Sequence, residues 1–133
     1  MKKFIFIFAF ISLSALLFAA DATNANPLAG KTITGKIKDR TRTFTFSKDG
    51  KRATLDSEYS HIFVKEINGV LIYEGKFKDL KHYDGFKVLD AKTVLVAAPS
   101  SLGPISTSAI KDFTSPEQVA ANIEKLGAKY TIK

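Results

Sequence analysis

The sequence predicts a mainly β domain, an antiparallel meander or small β-barrel with one C-terminal α-helix and a short terminal strand. Three observations predict it. Much of the chain beyond residue 30 alternates apolar and polar residues with period two, the pattern of strands buried on one face. Turn chemistry punctuates these segments, at Ser47-Lys48-Asp49-Gly50 and above all at Asn68-Gly69. Near the end a helix carries its own caps, with Ser115 before Pro116, Gln118 completing a capping box and Gly127 placed to stop it.

The first element is a leader. Lys2 and Lys3 precede an apolar run over residues 4–18, and Ala19, Ala20 and Ala22 supply the small residues a signal peptidase needs. Cleavage after Ala22 is the expectation, with Ala19 and Ala25 as the other sites, so residues 1–22 read as a signal peptide and 23–133 as a single domain. The run is short for a bilayer anchor and a polar chain follows it, so the mature form is expected without a transmembrane anchor, periplasmic or secreted. The chain has no cysteine, which excludes disulfides, thiolate metal sites and a lipid-modified N-terminal Cys. A disulfide-free exported chain without an Asn-x-Ser/Thr sequon points to bacteria.

Residues 31–37 alternate Ile33, Gly35 and Ile37 inward against Thr32, Thr34 and Lys36 outward, then turn near Lys38-Asp39-Arg40 into a strand over residues 41–46. A four-residue loop at 47–50 pairs Phe46 with Lys51 and Phe44 with Ala53. Phe44, Phe46, Ala53 and Leu55 then share a buried face, while Thr43, Thr45, Arg52 and Thr54 look out. Around Asn68-Gly69 a two-residue type I′ turn sets Ile67 opposite Val70, Val64 opposite Tyr73 and His61 opposite Lys76. One face then carries Ile62, Val64, Leu71, Tyr73 and Phe77. Strands follow over 85–89 and 93–98. The Ser/Thr/Gly/Pro-rich segment 99–114 reads as a long loop with a short strand near 105–110. The helix, over about 116–126, has the apolar stripe Val119, Ile123 and Leu126, and residues 128–132 alternate as the last strand.

Charge is concentrated. Lys31, Lys36, Lys38, Arg40, Arg42, Lys48, Lys51 and Arg52 face only Asp39 and Asp49 between residues 31 and 52, and basic and acidic residues balance after residue 52. Two readings follow: solvated strand faces on which Lys discourages edge pairing, or a patch for polyanions or anionic membrane surfaces, in which Lys36, Lys38, Arg40, Arg42 and Arg52 are the binding residues.

Catalytic chemistry is not evident. His61 and His82 are the two histidines. The run Asp79-Leu80-Lys81-His82-Tyr83-Asp84 matches no metal-ligand spacing and reads as a polar loop between strands. Ser100 and Ser101 lack the Gly-x-Ser-x-Gly setting of an esterase, and the glycines form no phosphate-cradling loop. No catalytic residue, metal ligand or cofactor is assigned, and neither an enzyme nor a specific nucleic-acid binder is expected. The aromatic residues build the core or, in a barrel that its side chains do not fill, line a cavity for a small apolar ligand. Phe44, Phe46, Tyr73 and Phe77 are the candidate lining.

Leu28-Ala29-Gly30-Lys31-Thr32 leading into a first strand, followed by antiparallel hairpins, a late amphipathic helix and a final strand, resembles the small bacterial lipocalin-like β-barrels. The resemblance spans nearly the whole mature chain and lies in layout. It implies a barrel that carries a small apolar ligand or acts as an exported envelope factor. The lipocalin Gly-x-Trp signature is not met, because Thr32 stands at the Trp position, so the resemblance assigns no ligand residues. The expected function is an exported binding or envelope-associated module, with a small apolar ligand or an anionic envelope component as partner.

Overall fold

The computed structural model describes residues 26–133, and the expected signal peptide lies outside them. The alternating segments become eight strands: β1 (Thr32–Ile37), β2 (Arg40–Phe46), β3 (Arg52–Leu55), β4 (Tyr59–Ile67), β5 (Val70–Phe77), β6 (Leu80–Val88), β7 (Thr93–Ala97) and β8 (Ala128–Ile132). Each pairs antiparallel with the next. β8 returns to β1 through Ile33↔Ile132 and Thr34↔Thr131, so the sheet closes into a barrel. Among the described residues, closure leaves no unpaired strand edge to template association.

The inward side chains fill the barrel. Ile33, Phe44, Phe46, Leu55, Tyr73, Phe86, Val94, Val96 and Tyr130 are all buried in one cluster. Gly35 makes room for the largest of them, since a Cβ there would lie 2.6 Å from the Tyr130 ring. A second, smaller core lies outside the sheet, where Val119 and Ile123 press on Val70, Ile72 and Ala97, with Phe113 beside them. The helical segment thus covers the outer face of β5–β7 and leaves the opposite wall bare.

The β2–β3 hairpin is wider than expected. Phe46 pairs with Ala53 and Phe44 with Leu55, because side-chain oxygens take over backbone amides in the turn: Ser47 Oγ accepts from the Arg52 N–H at 3.1 Å and Asp49 Oδ1 from the Lys51 N–H at 2.9 Å. The slip is two residues, so the expected inward set is preserved. At Asn68-Gly69 the expected pairs hold as far as Lys65↔Ile72, and then a bulge skips Val64 and pairs Phe63 with Tyr73. One extra residue inverts the face of everything before it. Ile62 and Val64 are exposed rather than buried, and His61 and Phe63 turn inward.

Three further elements correct the sequence reading. Of the supposed loop at 79–84, residues 80–84 are the first half of β6, reached by a tight turn in which Lys78 and Asp79 take φ values of 51° and 68°. The expected strand near 105–110 is absent among the described residues, and the long connection holds 3₁₀ helices at Pro99–Leu102 and Ala109–Phe113. The helix is broken into α1 (Pro116–Ala121) and α2 (Ile123–Leu126). At the break the Asn122 side chain donates to the Gln118 carbonyl at 3.0 Å, competing with the helical ladder. Ser115 caps α1 as expected, accepting from the Gln118 N–H at 3.1 Å. Among the described residues no helix is long and apolar enough to cross a membrane.

Both barrel ends are closed. At the end holding the 47–51 turn, Leu28 is fully buried, and Asn26 donates to the Tyr73 hydroxyl at 2.9 Å. At the other end, residues 98–105 fold across the opening, with Ser101 Oγ 3.3 Å from the Tyr130 hydroxyl.

Candidate functional site

Beneath that second lid lies a polar layer in an otherwise apolar interior. β4 contributes His61, β6 contributes His82 and Asp84, β2 contributes Arg42, and β8 contributes Tyr130; all are buried. Strand alternation puts His82, Asp84 and Phe86 on the inner face of β6. Gly75 of β5 lies against them, and a Cβ there would come within 2.6 Å of His61 Cδ2 and 3.1 Å of His82 Cε1. A side chain at position 75 would displace both imidazoles.

Asp84 is the hub. Its Oδ1 lies 2.7 Å from His82 Nδ1 in a hydrogen bond, and its Oδ2 lies 3.1 Å from His61 Nε2. The second contact lacks hydrogen-bond geometry, and both of its atoms are buried without a hydrogen-bond partner. Burial pushes the Asp84 carboxyl upward, but His61 and His82 outweigh it and hold the group at about 2. Burial alone would lower His61; the Asp84 carboxylate reverses this and raises it. Arg42 donates from Nη1 to Asp56 Oδ2 at 2.6 Å, and Asp56 Oδ1 accepts from the Thr43 N–H at 3.0 Å. Burial pushes the Tyr130 hydroxyl up to about 12.

The space left is small. A recess of about 10 Å³ is lined by His61, His82 and Asp84 together with Leu55, Tyr59, Lys76, Phe77, Pro99, Ser100 and Ile105. Such a volume holds one water or one ion, and no organic ligand.

No family model, curated protein or solved structure matches this chain.

The expected ligand-lining residues separate into two groups. Phe44, Phe46 and Tyr73 are brought together, with Phe86, in edge-to-face contacts at 5.0 to 5.5 Å between ring centroids, and none is more than 2% exposed. Phe77 stands apart, partly buried beside the recess under the lid. Of the expected polyanion residues, Lys36, Lys38, Arg40 and Arg52 are exposed. Arg42 is not on that surface. It lies on the inward parity of β2 with Phe44 and Phe46, and its charge is engaged by Asp56.

The polar layer is what sequence reasoning missed. His61 was expected opposite Lys76, on a register without the bulge, and His82 and Asp84 in a loop. A signal was present in the alternation of His82, Asp84 and Phe86 against Lys81, Tyr83 and Lys87, which extends the strand pattern backward from residue 85 with polar residues on the inside.

The outer wall opposite the helices has its own order. Cross-strand pairing aligns Thr93, Thr131, Thr34 and Thr43 in one row over β7, β8, β1 and β2. Thr32, Thr45, Thr54 and Ser60 form a second row over β1 to β4. Strand spacing places neighbouring hydroxyls in a row about 5 Å apart. Lys36, Arg52 and Lys129 flank the rows, and no outward position of β8, β1, β2 or β3 is acidic. Among the described residues, none of these three cations has a carboxylate within 4.0 Å, whereas Lys65 and Lys87 beside the helices pair with Glu117 and Glu124.

Proposed function

We propose that this chain is an exported, non-catalytic binding module that engages a polyanionic glycan of the cell envelope through the threonine- and lysine-bearing wall of β8, β1, β2 and β3. The observation that carries the reading is the acid-free wall itself. Basic side chains left without carboxylate partners attract anions, and two hydroxyl rows at strand spacing add donors and acceptors suited to a sugar chain. The outward positions of these four strands bear no large apolar side chain, and the exposed Ile62 lies beside Arg52 on the neighbouring β4, so vesicles are the comparison that separates a glycan from a lipid surface. Lys2, Lys3 and the apolar run at 4–18 support export.

The lipocalin-like carrier reading draws on barrel closure. It would require the packed rings of Phe44, Phe46 and Tyr73 to part for a ligand, so the wall is the better supported surface.

Heparin serves as the test polyanion, in titrations at low and physiological salt. Binding is expected to weaken steeply as salt rises, since the attraction is screened over about 8 Å at physiological ionic strength. The combined variant Lys36→Glu, Arg52→Glu and Lys129→Glu loses it, and Lys125→Glu on α2 keeps it. Equal behaviour of the two variants, or no wild-type binding at low salt, refutes the reading. Binding to phosphatidylglycerol vesicles without heparin binding would replace the glycan by an anionic membrane.

A further inference from the structure

We propose that His61, Asp84 and His82 form a buried site for a single divalent transition-metal ion of the Zn²⁺ class. His61 Nδ1 lies 3.1 Å from the Tyr59 carbonyl oxygen, which only accepts, so Nδ1 carries a proton and Nε2 is the ring nitrogen left to face the site. Nε2 faces Asp84 Oδ2 at 3.1 Å, and neither atom has a hydrogen-bond partner. A positive charge between the two atoms, carried by a proton or by a metal ion, makes the contact attractive.

A proton on Nε2 makes this contact an ion pair, which the Asp84 carboxylate favours by raising His61, but the N–H is not aimed at the oxygen as in a hydrogen bond. A metal ion fits better. Two ligands of a tetrahedral zinc, each about 2.0–2.1 Å from the ion, are about 3.3 Å apart, and their lone pairs converge on the metal rather than on each other. His82 supplies the third ligand, since the ligand atoms of all three residues lie within 4.8 Å of one another. Its hydrogen bond to Asp84 Oδ1 gives way when the ion enters.

The surroundings agree. A metal-binding His commonly donates its other ring N–H to a backbone carbonyl, as His61 does to Tyr59. Ser100 Oγ, buried without a partner, lines the same recess, and a recess of about 10 Å³ admits an ion or a water at the fourth position. Imidazole and carboxylate ligands without thiolate suit zinc, and they bind Co²⁺ as a spectroscopic substitute.

The test uses the untagged mature chain, treated with a chelator and then titrated with Co²⁺ or Zn²⁺. The expected results are one ion per chain after desalting, the visible absorption of tetrahedral Co²⁺, and an unfolding midpoint that rises with Zn²⁺. The ¹⁵N resonances of the two imidazoles, assignable because the chain has only two histidines, should shift together on Zn²⁺ addition. This measurement requires no variant. His61→Gln and Asp84→Asn should lose the Co²⁺ band, and Lys125→Gln on α2 should keep it. Absence of the band with unmoved imidazole resonances in the wild type overturns the proposal and leaves the contact as an ion pair. A stoichiometry of one that survives in both His61→Gln and Asp84→Asn places the ion elsewhere and overturns it equally.

Discussion

Replacing Phe44 by Ala asks whether the barrel interior is a core or a cavity. The Phe44 side chain is fully buried, with Phe86 5.0 Å away, His61 5.9 Å and Tyr130 6.1 Å between ring centroids. Truncating a ring packed in this way removes its transfer free energy and leaves a void that the neighbours cannot fill, about 3–5 kcal/mol in comparable cores. Part of that loss, about 0.5–1.5 kcal/mol, is the edge-to-face contact with Phe86. For a domain of this size the midpoint of thermal unfolding should fall by about 12–20 °C. Urea denaturation followed by circular dichroism measures the free energy directly, and Phe77→Ala is the control. Because Phe77 is only partly buried and stands outside the ring cluster, its truncation should cost about 1 kcal/mol. A ligand cavity would behave otherwise, since a ring facing empty space has few contacts to lose. A Phe44→Ala cost below about 1 kcal/mol, with saturable binding of an apolar probe by the wild type, would refute the packed interior and revive the carrier reading.

Other outcomes follow from individual contacts. Gly75→Ala drives a methyl toward His61 and His82, and should cost about 1–3 kcal/mol and shift the imidazole resonances of both residues; unchanged resonances would contradict the packing of the polar layer. The Tyr130 hydroxyl ionises near 12 in the fold against 10 when exposed. The native state therefore keeps a proton that the unfolded chain loses, and stability is intact below pH 10 and declines by roughly 2–3 kcal/mol as pH rises to 12. Removal of this slope in Tyr130→Phe would verify the source, and ultraviolet titration should find Tyr130 ionising after the more exposed tyrosines. Mass spectrometry of chain recovered from the envelope should give a start between Ala20 and Asn26, and an intact Met1 would remove the case for export.

The fold was largely legible because its strands obey one rule, burial on alternate residues. Where the inward residue is apolar, as in Ile33, Phe44, Phe46, Val94 and Val96, the rule is visible, and even a misjudged loop length at 47–50 did no harm because the slip was even. Barrel closure was not legible as a necessity. It depends on β8 reaching β1 from the far end of the chain, which no local pattern specifies. The break at Asn122 was hidden for a different reason: the apolar stripe runs through it unchanged, and the interruption comes from a side-chain amide competing for a single carbonyl.

The candidate site was hidden by the same rule that revealed the fold. A half-buried strand is recognised by apolar inward residues, so a strand whose inward residues are His82 and Asp84 reads as a loop. The polar layer was therefore excluded from the core before its chemistry could be weighed. The second half of the concealment is the bulge at Val64. An isolated hairpin signal such as Asn68-Gly69 fixes register only up to the first extra residue, and beyond it the inference fails by one position, which is a complete inversion. With Val64 skipped, Phe63 meets the Tyr73 ring edge-on at 5.3 Å and His61 fits over the bare Cα of Gly75. The unbulged register would instead bury Ile62 and Val64 and leave His61 outside. The bulge thus decides whether Asp84 has one histidine beside it or two, and the proposed metal site rests on the second.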